Sequence, residues 1–460
     1  MTAPFAHELP RRVQLFYASG SVAGATLSQS WSLWLIYFYA PPADAGIAAR
    51  VPELGGLDGR VALGLVLTAA RLVESLDDPL IGYWTDRTDS RWGRRIPFIV
   101  LGAPWWALSF ALLFSPPVEG SATANLVFLF IVAELHFLFS NLAGAPMEAL
   151  LPHIARGPSE RVSVATWQVV FGLAGAAIGL SVSSLLQAAF GFQAMAITLA
   201  AIALTSRYVA LAGSWRYART DATPSTPGLR LALRQTLANR PFLAFLPSFV
   251  LFQVGLQMLT ALLPFYVEAV LGGVTFLGFE GAADEGVFTF LLTAAVLLGM
   301  LTALPGFARY ARRLGKARAY RLAMLGAASA FSLLFVMGFI PGVPRLLQAV
   351  VGIFIAGLPT AGVFLFPNII TADIVDYDQT RTDTRREAMF YGTQNLLEKF
   401  ATAASPLLFA LILLAGDSAE HPLGIRLVGP VAGALVLLGY LAFRGYRLDD
   451  APATPLPTSR

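Results

Sequence analysis

Four charged residues close an apolar run that begins near Val61: Arg71, Glu74, Asp77 and Asp78. On a helix, Glu74 and Asp78 lie four residues apart and share a face, with Arg71 one turn before them. A charge at the centre of a bilayer costs between about 2.5 and more than 10 kcal/mol, so such residues face aqueous cavities and carry ions or protons. The spacing therefore predicts a cation or proton site in a membrane helix. A structural pair, in which Arg71 only neutralises one carboxylate, is the alternative.

A second polar group follows a basic loop late in the chain and contains Tyr391, Gln394, Asn395 and Lys399. Lys399 lies about three turns into the apolar span predicted over 387–415, too deep for its side chain to reach the cytoplasmic surface easily. A lysine at that depth needs a counter-ion, and Glu74 or Asp78 would supply it. A local arrangement with Glu398 is the alternative, although adjacent residues on a helix do not face each other.

The fourth predicted span carries Glu134, Asn141 and Glu148, which recur every seven residues and so share one helix face. His136 is turned well away from that face. The face can line a solute or ion path, and Asn141 is then its best candidate. Equally, Glu134 and His136 can lie near the outer interface or pair locally.

Other polar side chains in the predicted spans are candidates to contact a solute, although uncharged ones often bond a neighbouring helix instead. Gln253 and Gln257 are four residues apart, so both amides lie on one face. The candidates for a solute cavity are Thr26, Gln29, Arg71, Glu148, Gln168, Gln253, Gln257, Asn368, Tyr391, Gln394 and Asn395.

The composition is that of a polytopic membrane protein. It is 56% hydrophobic and only 13% charged, with a mean hydropathy of +0.65. The chain has no cysteine and four scattered histidines, which argues against a disulfide framework and a thiolate or histidine metal cluster. It also lacks a phosphate-binding G-x-x-x-x-G-K-[ST] loop, so it cannot be an ATP-driven pump acting alone.

Twelve apolar segments are long enough to span a bilayer, six on each side of a polar stretch over 214–240. Within that stretch, Gly228–Ala238 predicts a short amphipathic helix on the membrane surface. We expect an N-terminal six-helix bundle over 1–213, the cytoplasmic linker over 214–240, a C-terminal six-helix bundle over 241–447 and a cytoplasmic tail over 448–460. The predicted spans are 15–40, 61–85, 96–117, 123–151, 162–187, 189–213, 242–271, 285–308, 317–340, 345–371, 387–415 and 423–445.

The cations are concentrated in alternate loops, which explains the net charge of +4 without a nucleic-acid partner. By the positive-inside rule, both termini and the central linker are cytoplasmic. The two halves also echo each other, because Arg91-Trp92-Gly93-Arg94 after the second span is matched by Arg313-Leu314-Gly315-Lys316 after the eighth. The pattern favours a duplicated six-helix unit.

The residues around the second span make a recognisable motif. Glu-x-x-x-Asp-Pro-x-x-Gly from Glu74 to Gly82, followed by Asp-Arg and Arg-Trp-Gly-Arg-Arg-x-Pro-Phe, resembles the glycoside-pentoside-hexuronide:cation symporters, the melibiose-permease branch of the major facilitator superfamily. Asp373-x-x-Asp376-Tyr377, a basic loop, and then Tyr, Gln and Lys399 resemble the same family. The cytoplasmic loop motif comprises Asp86, Arg87, Arg91, Gly93, Arg94 and Arg95.

The resemblance implies a twelve-helix all-α major facilitator fold and a role for several of these residues. Glu74 and Asp78 fall on the two carboxylates of the family's cation site, where Na⁺ would bind. Asp77 falls on a neighbouring position that contributes to cation choice, and Asn141 on a polar residue near the same site. Lys399 falls on the lysine that links the cation and sugar sites.

The sugar-binding pattern of the family is not kept. Sugar-transporting relatives carry an aspartate in the first helix, where this chain has Ala25 and Thr26, and another in the fourth helix, where it has Gly144. A fifth-helix arginine is replaced near Gln168. We therefore expect glycosides such as melibiose to be poor substrates. The family also includes animal lysophospholipid symporters, so an amphipathic substrate is an alternative.

These observations predict a secondary transporter and not an enzyme. It would couple a small solute, a sugar or glycoside by resemblance, to Na⁺ or H⁺ by alternating access, without another cofactor. We expect a monomer in the cytoplasmic (inner) membrane, with the lipid bilayer and the solute as its partners. A lysolipid carrier is one alternative, and a receptor or assembly factor on a transporter fold is another.

Overall fold

The computed structural model describes most of the chain. The described residues are 9–42, 45–88, 90–93, 95–117, 121–155, 158–216, 234–281, 284–382 and 386–448, and some side chains within these ranges lie outside the description.

The first half of the chain is a succession of helices joined by short loops. A two-residue hairpin, β1 (Glu53–Leu54) and β2 (Leu57–Asp58), precedes the third helix. The helices are α1 (Arg11–Ser19), α2 (Ser21–Tyr39), α3 (Gly59–Arg87), α4 (Ile96–Leu113), α5 (Ala122–Glu148), α6 (Leu151–Ile154), α7 (Pro158–Ala177), a π-helical turn (Ile178–Val182) and α8 (Ser183–Ser214).

The second half repeats this plan. A hairpin again precedes its second long helix, formed by β3 (Thr275–Phe276) and β4 (Phe279–Glu280). The helices are α9 (Arg240–Tyr266), a π-helical turn (Val267–Leu271), α10 (Glu285–Leu314), α11 (Lys316–Leu333), a 3-10 turn (Leu334–Val336), α12 (Arg345–Thr382), α13 (Glu387–Thr402), α14 (Ser405–Leu413) and α15 (Leu423–Phe443).

Nine segments of the described chain are helical, long enough and apolar enough to cross a membrane. One of them, Ser163–Arg216, contains a break at Gly191, whose φ of 77° is a conformation that glycine adopts without strain. This break separates the predicted fifth span from the sixth. The two remaining predicted spans coincide with α2 and α3, and α3 contains the charged stretch. The all-helical membrane fold is thus confirmed.

The chain divides into two compact units. Unit 1 comprises Met1–Ser225, Thr260–Thr293 and Pro406–Pro422, and unit 2 comprises Thr226–Leu259, Ala294–Ser405 and Leu423–Arg460. The division into two six-helix bundles at the polar linker stays a prediction. Residues 217–233, which include most of the predicted amphipathic helix, lie outside the described residues.

Helices α2 and α7 of unit 1 pack closely because two glycines of α7 and the following turn face α2. A Cβ atom at Gly175 would lie 2.6 Å from the carbonyl oxygen of Val22, and one at Gly179 would overlap the carbonyl oxygen of Thr26. The Thr26 hydroxyl donates to the Gly175 carbonyl at 3.2 Å. Small residues four apart are the usual means by which membrane helices approach each other.

The tenth predicted span is longer than expected. Its helix α12 continues through Asp373 to Thr382 instead of ending near residue 371. The extension carries acidic residues that the apolar pattern excluded, and cations of unit 2 neutralise two of them. Lys316 Nζ lies 2.7 Å from both oxygens of Asp373, and Arg386 binds both oxygens of Asp378 at 2.7 and 2.8 Å.

Candidate functional site

The Arg71–Glu74 pair lies in the middle of α3, inside unit 1. Arg71 Nη1 donates to Glu74 Oε2 at 3.0 Å, across one helical turn. The Glu74 side chain is only 7% exposed and that of Arg71 is 19% exposed. The spacing predicted this proximity, and burial strengthens the attraction between the two charges because water does not screen it.

Aromatic rings from two other helices surround the Arg71 guanidinium. Its central carbon lies 4.5 Å from the centre of the Phe137 ring of α5 and 5.7 Å from that of Trp31 of α2. A cation over a ring face is attracted by the negative potential of that face, and more strongly when water is excluded. The charged pair is therefore embedded in apolar surroundings that also fix its position.

His136 belongs to the same aromatic cluster. Its ring is stacked 5.5 Å from Trp31 at an interplanar angle of 16°, and the whole residue is buried. Its Nδ1 lies 3.4 Å from the Ser109 hydroxyl of α4. The sequence spacing predicted that His136 points away from the polar face of α5. In the structure its ring contacts aromatic residues of neighbouring helices.

The other predicted cation ligands are only partly described. The backbone of Asp77 and Asp78 lies within α3, but their side chains lie outside the described residues. Asn141 is half-buried on α5, as is Glu134, whereas Glu148 is exposed at the end of that helix. Cation binding by this set stays a prediction.

The cytoplasmic loop motif is described in part. Gly93 closes a turn by donating its N–H to the Ser90 carbonyl at 2.8 Å, and Arg91 is exposed. Arg95 donates to the carbonyl oxygen of Ala149, which ties this loop to the end of α5. The side chains of Asp86, Arg87 and Arg94 lie outside the described residues.

The solute candidates of unit 1 differ in accessibility. Thr26 is completely buried and its hydroxyl is used in the contact between α2 and α7. Gln29 and Gln168 are both half-buried. Gln29 therefore has more side chain available for a solute than Thr26, three residues before it.

The candidates of unit 2 come together where α13 meets α9 and α12. Gln394 accepts a hydrogen bond from Thr371 at 2.8 Å, and the Tyr391 hydroxyl donates to the Asn368 carbonyl at 3.1 Å. Asn395 is exposed and Gln257 is half-buried. The structure therefore joins Tyr391 of α13 to Asn368 of α12, and Gln394 and Asn395 lie on the same helix as Tyr391.

Sequence reasoning missed one residue of this group, Glu398. Its Oε1 accepts a hydrogen bond from Gln253 Nε2 at 2.6 Å, between α13 and α9. Lys399 beside it is half-buried, and its predicted pairing with the α3 carboxylates stays a prediction. A carboxylate deep in an apolar span is itself a sign of a functional residue. The sequence could not identify its partner, because Gln253 lies 145 positions away.

A profile of the family described as "MFS/sugar transport protein" matches residues 16–424. The chain belongs to this family. The match spans nearly all of both halves and confirms the resemblance to the glycoside-pentoside-hexuronide:cation symporters.

Curated relatives of this symporter family are similar over most of the chain. The "Isoprimeverose transporter" of Lactiplantibacillus pentosus is 23% identical, covering 84% of this chain and 76% of its own length. The "Glucuronide carrier protein homolog" of Escherichia coli (strain K12) is 23% identical and covers 96% of this chain and 94% of its own length. These relatives are transporters, which fits the prediction that the chain is not an enzyme.

Solved structures show the same fold at low sequence identity. The nucleoside transporter NupG is similar with a TM-score of 0.64 and 12% identity, covering 95% of this chain and all of its own. The peptide transporter POT is similar with a TM-score of 0.63 and 16% identity, covering 96% of each chain. They confirm a major facilitator fold.

The described part of the chain bears on the predicted metal ligands only in part. Among the described residues, no group of three or more His, Cys, Asp or Glu side chains is arranged to hold a metal ion. The predicted Na⁺ site at Glu74 and Asp78 depends on a side chain outside that description. Glu74 is the described carboxylate of this set, and it is held by Arg71.

Proposed function

We propose that this protein is a secondary transporter that couples movement of a sugar or glycoside to Na⁺ or H⁺. The observation that carries the proposal is the buried Arg71–Glu74 pair in a membrane helix. A charged pair at this depth is costly to keep in an apolar environment, and membrane proteins retain such groups where ions or protons move. Membership of the symporter family supports the same activity.

Glu74 is the proposed coupling carboxylate, together with Asp77 and Asp78. Carboxylate oxygens can hold Na⁺, or one of the acids can carry a proton. Pro79 directly after Asp78 removes a backbone N–H donor, so a carbonyl of the preceding turn is left available beside the acids. Asn141 is proposed as a further oxygen ligand and Lys399 as the cation that balances the acids when the site is empty.

The relatives suggest the solute. The names of these relatives refer to isoprimeverose, lactose, raffinose and glucuronide. We propose a monomer of the cytoplasmic membrane with both termini in the cytoplasm. The orientation follows from the cations, which are concentrated in alternate loops of the sequence. A lysolipid is the competing solute, favoured by the uncharged residues Ala25 and Gly144 at the positions where sugar-transporting members carry acids.

Uptake into proteoliposomes tests the proposal. The purified protein is supplied with labelled isoprimeverose, a glucuronide, raffinose or a lysolipid, each with an inward Na⁺ gradient, an inward H⁺ gradient or neither. We expect saturable accumulation of at least one glycoside only with one of the two gradients. Asp78→Asn should abolish accumulation while leaving equilibrium binding of the solute largely intact.

Each other outcome would support a different function or a different coupling residue. Gradient-driven uptake of the lysolipid alone would show an amphipath carrier. Binding without uptake of any solute under either gradient would indicate a receptor. Equal accumulation by Asp78→Asn and the parent would show that Asp78 is not the coupling group.

A further inference from the structure

Unit 2 contains a carboxylate that the comparison with the family pattern does not explain. Glu398 of α13 accepts a hydrogen bond of 2.6 Å from the side-chain amide of Gln253 on α9. This distance is short for an N–H···O bond. The two residues lie 145 positions apart in the sequence, so the contact is set by packing of the two helices.

Both residues lie deep within their helices. At a rise of 1.5 Å per residue, Glu398 is about 17 Å from the start of α13 and Gln253 about 20 Å from the start of α9. The hydrocarbon core of a bilayer is about 30 Å thick, so the pair lies near its middle. Each side chain is half-buried and thus partly accessible.

A partly accessible carboxylate at that depth cannot face lipid without a large cost, so its accessible side faces water. In a transporter, water at mid-membrane depth lies on the route of the solute. The same face of α13 carries Tyr391 and Asn395, because positions 391, 395 and 398 follow the i, i+4, i+7 pattern. Gln253 and Gln257 lie on one face of α9.

The chemistry of this face suits a polyhydroxylated ligand. A carboxylate has about four lone-pair positions, so it can accept a hydrogen bond from Gln253 and others from a ligand. Amides of asparagine and glutamine both donate and accept, so they match hydroxyl groups, which do the same. An ionised acceptor forms hydrogen bonds roughly twice as strong as neutral ones.

We propose that the Glu398 carboxylate, oriented by the Gln253 amide, accepts hydrogen bonds from two adjacent hydroxyl groups of a sugar. In this chain the acid that recognises the sugar would thus lie in the second half, in place of the acids absent at Ala25 and Gly144. The inference rests on the proposed sugar transport and names its specificity-determining residue.

Deoxy analogues provide the test, because they separate recognition from a structural role. Binding of a glycoside taken up by the parent, and of its singly deoxygenated analogues, is measured by calorimetry for the parent and for Glu398→Gln in detergent. We expect Glu398→Gln to weaken binding of the full glycoside at least tenfold. We expect one or two deoxy analogues to bind the parent more weakly than the full glycoside does. Glu398→Gln should bind those analogues as well as it binds the full glycoside, because the hydrogen bond is already lost.

Two further variants control the experiment. Glu387→Gln removes an exposed carboxylate from the first turn of the same helix and should bind all ligands like the parent. Gln253→Met keeps the side-chain length and the Glu398 charge but removes the orienting donor. It should give the same pattern with a smaller loss, and it serves as the test if Glu398→Gln proves unstable.

Additive losses for Glu398→Gln and every deoxy analogue would overturn the inference, because the carboxylate would then contact no hydroxyl. That result would leave the proposed transport of a glycoside intact. Failure of the parent to bind any glycoside would instead overturn the proposed function, and the role of Glu398 with it.

Discussion

At the scale of single residues, the ion pair in α3 makes a quantitative prediction. Arg71→Leu should lower the free energy of unfolding by about 3–5 kcal/mol, because it leaves the Glu74 carboxylate buried without its arginine. Arg71→Leu combined with Glu74→Leu should cost less than Arg71→Leu alone, since no charge is then stranded. Denaturant titration of the purified protein measures both changes.

Arg91 supplies the control for that measurement. It lies exposed in the loop after α3, where its guanidinium is 5.6 Å from the Trp92 ring centre. Arg91→Leu should change the free energy of unfolding by less than about 1 kcal/mol. Equal costs of the double variant and the two single variants added together would contradict an interaction between Arg71 and Glu74.

Residue patterns predicted the contacts that are local in sequence. The spacing of Arg71 and Glu74 was sufficient, because residues three apart on a helix are neighbours. The sequence positions of Glu398 and Gln253 did not predict their contact, because it depends on how two helices far apart in the sequence pack against each other. For the same reason the aromatic partners of His136 on α2 and α4 could not be deduced from α5 alone.

At the scale of elements, the glycines of the fifth span predict a difference between two similar substitutions. Gly179→Ala should destabilise the protein by about 1–3 kcal/mol, because its Cβ would overlap the Thr26 carbonyl and lie 2.9 Å from Gln29 Cβ. A Cβ atom at Gly172 of α7 meets no atom of the described residues within 4 Å. Gly172→Ala should be neutral or stabilising, because alanine favours the helix by about 1 kcal/mol.

Thermal unfolding of the two variants in the same detergent decides the matter. A similar loss of stability in both would mean that helix propensity, and not the approach of α2, governs these positions. The spacing of Gly175 and Gly179 was visible in the sequence, but the identity of the facing helix was not. Likewise, the hydropathy pattern located α12 but not its end, because Lys316 and Arg386 offset acids that the pattern counts as a stop.

At the scale of the whole molecule, an ion network in unit 1 connects the start of α3 with the segment before α15. The Asp58 carboxylate caps α3 and binds Arg60 at 2.7 and 2.9 Å, and Arg60 also contacts Asp417. The hydrogen bonds from Arg60 hold the pKa of Asp58 below its usual range. Asp58 therefore contributes stability above its unfolded-state pKa, and this contribution is lost as the pH falls through its lower, folded-state pKa.

Asp58→Asn should consequently lower the melting temperature at neutral pH, by an amount equivalent to about 1 kcal/mol, while asparagine preserves the helix cap. The difference from the parent should shrink as the pH is lowered into the acidic range. Glu53→Gln on the paired strand, whose side chain is exposed, should melt like the parent throughout. A difference that stays constant down to the lowest pH tested would contradict a role for the Asp58 charge.

The orientation of the molecule in the membrane is the remaining prediction at this scale. The chain has no cysteine, so single cysteines can be introduced without background labelling. Ser90 lies in the basic loop after α3, and Leu277, which is 82% exposed, lies in the hairpin between α9 and α10. The positive-inside rule places the loop after α3 in the cytoplasm. Each passage through the membrane reverses the side, and five predicted spans separate this loop from the hairpin. Ser90→Cys should thus react with a membrane-impermeant maleimide only in inverted vesicles, and Leu277→Cys only in intact cells. Reaction of both from the same side would refute the alternating order of loops from which the cytoplasmic position of both termini was inferred.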